Sequence, residues 1–118
     1  DGFGFGINVK SYLTVKSYQE MKEITEILGG KKETSEGLAG LGDLLATGWS
    51  NFSHNFTTGR NIVLENEKNP SSEGCVSLSP ISKLLGKNFK KFKILYSVKQ
   101  IILDKENAKT FFKIEMFK

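Results

Sequence analysis

The residues best suited to chemistry lie close together, between positions 37 and 55. If Asp43 opens a helix, Thr47 is four residues on, Ser50 seven and His54 eleven, so a continuing helix would put a carboxylate, hydroxyls and an imidazole on one face. Gly48 and the Ser50-Asn51 pair are candidate breaks; with a break there, Ser53 caps a second helix and brings His54 and Asn55 to its start. Free backbone N–H groups and the dipole at such a start favour an anion, so Ser53, His54 and Asn55 could cradle a phosphate. The plainer alternative is Ser53 as a cap with His54 on the surface. Asp43, His54 and a serine also supply the residue types of a hydrolytic triad, but nothing sets a serine on a strained turn or provides an oxyanion hole. Gly2-x-Gly4-x-Gly6 lacks both the preceding strand and the spacing of a dinucleotide fingerprint, and suits a pliable lead into a helix. One histidine, one cysteine and scattered carboxylates give no metal site.

The elements that must position these groups read as helices. Tyr12, Val15, Tyr18, Met21, Ile24 and Leu28 recur at three- and four-residue steps, which predicts a helix with a buried stripe over residues 7–28, stopped by Gly29-Gly30. Residues 33–36 offer polar groups for a short helix, and residues 37–42 form a small-residue stretch where backbones can approach closely. Further helices are predicted over 43–49 and 53–64, then a loop over 66–72 containing Pro70. Val76, Leu78, Ile81, Leu84 and Leu85 predict a helix ending near Gly86, and Ile94, Leu95, Val98, Ile101 and Ile102 another ending near Asp104. Past Ala108, Phe112, Ile114 and Met116 alternate as a strand would, though helix is the reading consistent with its surroundings. The expectation is one all-α domain over residues 1–118.

Composition narrows the function. The net charge is +4, and ten lysines fall within residues 83–118, which raises a basic nucleic-acid-binding domain as one alternative. Their alternation with acidic and apolar residues instead fits the solvated faces of amphipathic helices, so no nucleic acid is expected as partner. Cys75 cannot form an internal disulfide, and a reducing, cytoplasmic setting fits. No apolar run approaches the roughly 18 residues of a membrane span, and no membrane partner is expected. The opening without methionine reads as the middle of a longer protein, and the sequons at Asn51 and Asn55 read as chance.

Gly37-Leu38-Ala39-Gly40-Leu41-Gly42-Asp43-Leu44-Leu45-Ala46-Thr47, followed by Ser53-His54-Asn55, resembles the C-terminal signature of bacterial NAD(P)-dependent glycerol-3-phosphate dehydrogenases. The segment from Asp1 to Lys10 is similar to that family's D-G-L-G-x-G-x-N-x-K, Ser72-Glu73-Gly74 to its V-E-G, and Leu95-Tyr96 to the start of its last helix pair. The resemblance spans essentially the whole chain.

It implies the all-helical C-terminal domain that follows a Rossmann domain in 6-phosphogluconate-dehydrogenase-like enzymes. It also implies hydride transfer between NAD or NADP, held mainly by that absent N-terminal domain, and dihydroxyacetone phosphate or glycerol 3-phosphate, in the supply of phospholipid synthesis. By motif position, Asp43, Thr47, Ser53, His54 and Asn55 are implied at the substrate, and His54, Ser71 and Glu73 at the cofactor. The acid/base lysine is implied upstream of residue 1, so no catalytic residue is assigned here, Lys10 is not promoted, and this piece alone is expected to be inactive. A homodimer would be ordinary for the family, and a non-catalytic helical binding module descended from it is the alternative. His54 stands where the family has arginine, a permanent forked cation, whereas histidine exchanges its charge near neutral pH. The connection over residues 60–72 is shorter than the family's usual one.

Overall fold

Gly6, in extended backbone, releases the chain into α1, Ile7–Ile27, a rod roughly 30 Å long. The computed structural model describes residues 1–110, and every regular element among them is helical, as expected. Gly29 closes α1 with φ +86°, a left-handed conformation that a side chain would resist, and the Gly30 N–H turns back to the Thr25 carbonyl at 2.8 Å. The short α2, Lys32–Glu36, is tied to α1 by Lys22 Nζ donating to Glu36 Oε1 at 2.9 Å.

Residues Leu38–Gly42 wind as a π-type turn, in which the Gly42 N–H reaches the Gly37 carbonyl at 3.2 Å. A methyl group on Gly40 would lie 2.2 Å from the Ser35 carbonyl oxygen, which is backbone and cannot swing aside. That is the close approach the small residues of 37–42 suggest, and it fixes where α3, Asp43–Gly48, begins.

The rest of the chain supplies α4, His54–Leu64, α5, Glu73–Leu85, a 3-10 turn over Gly86–Lys91, and α6, Lys93–Ile102. Each helix predicted before residue 105 is present; the sequence pattern predicts neither the π-type turn nor the 3-10 turn. Leu85, Phe89 and Phe92 form the buried centre, with Ile24, Ile81, Leu95 and Tyr96 packed against it and Phe89 edge-on to Tyr96 at 5.8 Å. Glu20 binds the ends of the chain together: its two carboxylate oxygens accept from Ile94 N at 2.8 Å and Leu95 N at 3.0 Å, the free donors of the first turn of α6.

The predicted buried stripe on α1 is not realised. No residue of α1 is buried, Val15 is 54 % exposed, and of the stripe Ile24 alone packs against the buried centre. The cause is geometric: a 21-residue helix outruns the short α2, α3 and α6 that lie along it. Residues 108–110 are helical, and the helix-or-strand alternative for Phe112, Ile114 and Met116 lies outside the described residues.

Candidate functional site

Ser53 stops being extended chain at the point where α4 starts, and its Oγ accepts from the Phe56 N–H at 3.4 Å, so the predicted cap is in place. His54 is then the first residue of α4 and Asn55 the second, both exposed. At α5, Ser72 holds the cap position with its hydroxyl buried and donating to Cys75 Sγ at 3.2 Å, which leaves exposed Ser71 and Glu73 on either side. One hydrogen bond joins the two helix starts: Asn55 Oδ1 accepts from the Gly74 N–H at 3.1 Å. A Cβ on Gly74 would sit 3.0 Å from that same Oδ1, so the Asn55 amide would have to give by a few tenths of an ångström. Ser53, His54 and Asn55 at the α4 start are thereby set beside Ser71 and Glu73 at the α5 start, a corner with the positive dipole ends of two helices.

Asp43 and Thr47 come from the other side of the break. Helix α3 ends at Gly48, so Ser50 and His54 do not continue its face and the single-helix arrangement of Asp43, Thr47, Ser50 and His54 does not occur. Ser50 instead accepts from the Phe52 N–H at 3.2 Å through Oγ, which helps turn the chain between the helices. Asp43 is exposed in the first turn of α3, where the dipole favours a carboxylate. The Thr47 hydroxyl donates to the Asp43 carbonyl at 2.8 Å, so only its oxygen lone pairs remain to accept from a ligand.

Behind this corner lies a charged group that the motif reading did not assemble. The Asp1 carboxylate sits between Lys10 Nζ at 2.7 Å and Arg60 Nε at 3.8 Å, linking the start of the chain to α1 and α4. Gly2 makes this possible, because a Cβ there would meet Val63 Cβ at 3.0 Å and the Arg60 backbone at 3.2 Å. Of the glycines Gly2, Gly40 and Gly74, only Gly40 falls in the small-residue stretch read from the sequence, since the partners of the other two are remote along the chain.

Two cavities flank the ridge formed by Asp1, Gly48 and Phe56. One, of about 280 Å³, runs between α4 and α6, with Asn55 and Arg60 among its polar lining and Ile62, Val98 and Ile101 among its apolar walls. The other, of about 430 Å³, lies between α1 and α3 and is lined by Lys10, Thr14, Ser17, Trp49 and Asn51 among others. Asp43 and His54 line neither. Among the described residues no group of three His, Cys, Asp or Glu side chains could hold a metal ion, and no helix is long and apolar enough to cross a membrane.

The geometry defines a class of protein: an all-helical domain whose polar side chains are gathered where two helix starts meet. Its family is more specific. Residues 1–113 match the family described as NAD-dependent glycerol-3-phosphate dehydrogenase C-terminus, and the chain belongs to that family. It is similar to the glycosomal glycerol-3-phosphate dehydrogenase [NAD(+)] of Leishmania mexicana, 28% identical over 92% of this chain and 32% of that protein. It is also similar to the glycerol-3-phosphate dehydrogenases [NAD(P)+] of Leifsonia xyli, 32% identical over 86% of this chain and 30% of that protein, and Clostridium botulinum, 46% identical over 50% of this chain and 18% of that protein. The chain thus spans about a third or less of the length of these relatives. No solved structure matches it.

Proposed function

We propose that this chain is the substrate-binding half of an NAD(P)-dependent glycerol-3-phosphate dehydrogenase, the enzyme that moves a hydride between NAD(P)H and dihydroxyacetone phosphate to give sn-glycerol 3-phosphate. The observation that carries this reading is the Asn55–Gly74 bond, because it sets the α4 start, with Ser53, His54 and Asn55 proposed for substrate, beside the α5 start, with Ser71 and Glu73 proposed for cofactor. Family membership over residues 1–113 supports it.

The bonding already present limits what each group can do. Ser53 Oγ accepts from the chain, so its O–H is free to donate to a phosphate oxygen. Asn55 has one Oδ1 lone pair engaged with Gly74 and keeps both Nδ2 donors for the substrate. His54 offers a ring N–H at the helix start, where an anion is favoured. Thr47 can accept from a substrate hydroxyl, and Asp43 accepts from the glycerol hydroxyls or orients the acid/base lysine, which we assign outside this chain. Toward the cofactor, the Ser71 hydroxyl and the Glu73 carboxylate are exposed beside His54's helix and suit the hydroxyl and amide edges of a nucleotide. The nicotinamide supplies or takes the hydride; this chain binds and orients.

The same reading assigns a Rossmann partner domain, a homodimeric assembly and a cytoplasmic setting. Apolar side chains left open on α1 and α5, such as Ile7 and Leu84, are consistent with further protein surface packing there. The test is ligand-linked stability of the full-length protein. Dihydroxyacetone phosphate added with NADH or NADPH should raise the unfolding temperature by more than the nucleotide alone, since a ligand that binds the folded state stabilises it. An unfolding temperature indifferent to the triose phosphate at millimolar concentration would overturn the assignment.

A further inference from the structure

We infer that Arg60, with Asn55, supplies the permanent positive charge that meets the phosphate of the substrate in this protein. The inference rests on the reading above and names the residue that adds a permanent cation to the ring N–H offered by His54. His54 is the first residue of α4, at the positive end of the helix dipole, where an added cation is disfavoured, and it does not line the cavity between α4 and α6. Arg60 does line it, together with Asn55, Phe56 and Gly59 of the same helix.

The chemistry of the guanidinium suits the task. Its nearest carboxylate, Asp1, stands 3.8 Å from Nε and is engaged more closely by Lys10 at 2.7 Å. The Nη donors of Arg60 are the fork that binds phosphate oxygens in pairs. With Lys10 and Arg60 around one carboxylate, the group carries a net positive charge, so an anion arriving there is attracted. The apolar residues Ile62, Val63, Val98, Ile101 and Ile102 wall the cavity, and the Arg60 side chain is half exposed, so an arriving anion can reach it. Gly2 presses its backbone onto Arg60 at a distance that leaves no room for a side chain, which holds the base of the arginine in place.

The experiment compares the full-length protein with its Arg60→Ala, Arg60→Lys and His54→Ala variants, using two substrates that differ only by the phosphate: dihydroxyacetone phosphate and dihydroxyacetone. Arg60→Ala should lower kcat/KM for the phosphorylated substrate by roughly 10- to 100-fold and leave the unphosphorylated one within about threefold. Arg60→Lys should recover part of the loss, because the charge returns without the fork. Equal losses for both substrates would show that Arg60 supports the fold through Asp1 and would overturn the inference. So would a phosphate-specific loss in His54→Ala with none in Arg60→Ala. Absence of turnover of either substrate by the unaltered protein would be a failure of the functional reading, and is distinguished by appearing before any substitution is made.

Discussion

Asn55 and Gly74 are nineteen residues apart in sequence, yet the amide oxygen of one accepts the backbone N–H of the other at 3.1 Å, and this bond is where α4 and α5 meet. It satisfies an orphan donor in the first turn of α5 and fixes the orientation of the Asn55 amide, leaving its NH2 outward.

Gly74→Ala therefore separates site geometry from stability. The added methyl, 3.0 Å from Asn55 Oδ1, pushes the amide aside and weakens the bond, a loss of up to about 1.5 kcal/mol. Alanine is also the better helix former, by up to about 1 kcal/mol in a helix interior and less in the first turn, which offsets part of it. The expected outcome is a fold stability within roughly 1 kcal/mol of the parent, with KM for the triose phosphate raised about 3- to 10-fold. Urea denaturation and steady-state kinetics check the two parts; an unchanged KM would mean that Asn55 does not touch substrate.

Glu20 is expected to be a stability residue and nothing more. Its carboxylate is the partner of two N–H groups at the start of α6, so Glu20→Ala leaves both without it and should cost about 1–3 kcal/mol. Glu20→Gln keeps one good acceptor and should cost less than half as much. Equilibrium denaturation of the two variants gives the order, and equal losses would contradict the two-oxygen arrangement.

The Lys22–Glu36 pair predicts how the α1–α2 contact responds to pH. The hydrogen bond from Lys22, then its charge, holds the Glu36 carboxyl below its ordinary range, and the same bond holds the Lys22 ammonium above its own. The Glu36 contribution is present above the ordinary carboxylate range and is lost as pH falls through the lowered value. That of Lys22 is present below the ordinary lysine range and is lost as pH rises through the raised one. Both groups are at the surface, so the effect is small and weakened by salt. The stability difference between the parent and Glu36→Gln should be greatest between these limits and shrink at acid and strongly alkaline pH. A difference that persists unchanged in acid would contradict the pairing.

Much of this fold is legible in the sequence because local rules decide it. The three- and four-residue apolar spacing marks α1, α5 and α6, Gly29 ends α1 and Ser53 caps α4, each by a mechanism confined to a few residues. What is not legible depends on partners far along the chain. Glu20 reads as one more polar residue on a helix until α6 arrives 74 residues later. Asp1, Lys10 and Arg60 read as separate surface charges until Gly2 lets the chain start lie against α4. The stripe on α1 shows the reverse error: periodicity identifies an apolar face correctly but says nothing about how much of it this chain can cover. The site divides in the same way, since Ser53, His54 and Asn55 follow from a local cap, whereas their meeting with Glu73 and Gly74 is tertiary.

The central claim is that this chain is the substrate half of a glycerol-3-phosphate dehydrogenase, and turnover by the full-length protein tests it most directly. NADH or NADPH oxidation should depend on added dihydroxyacetone phosphate, and Asp43→Asn, which keeps the size and removes the charge, should lower kcat on the order of 10- to 100-fold while the unfolding temperature stays unchanged. Nucleotide oxidation that does not respond to the triose phosphate, or a rate unaltered by Asp43→Asn, would contradict the account.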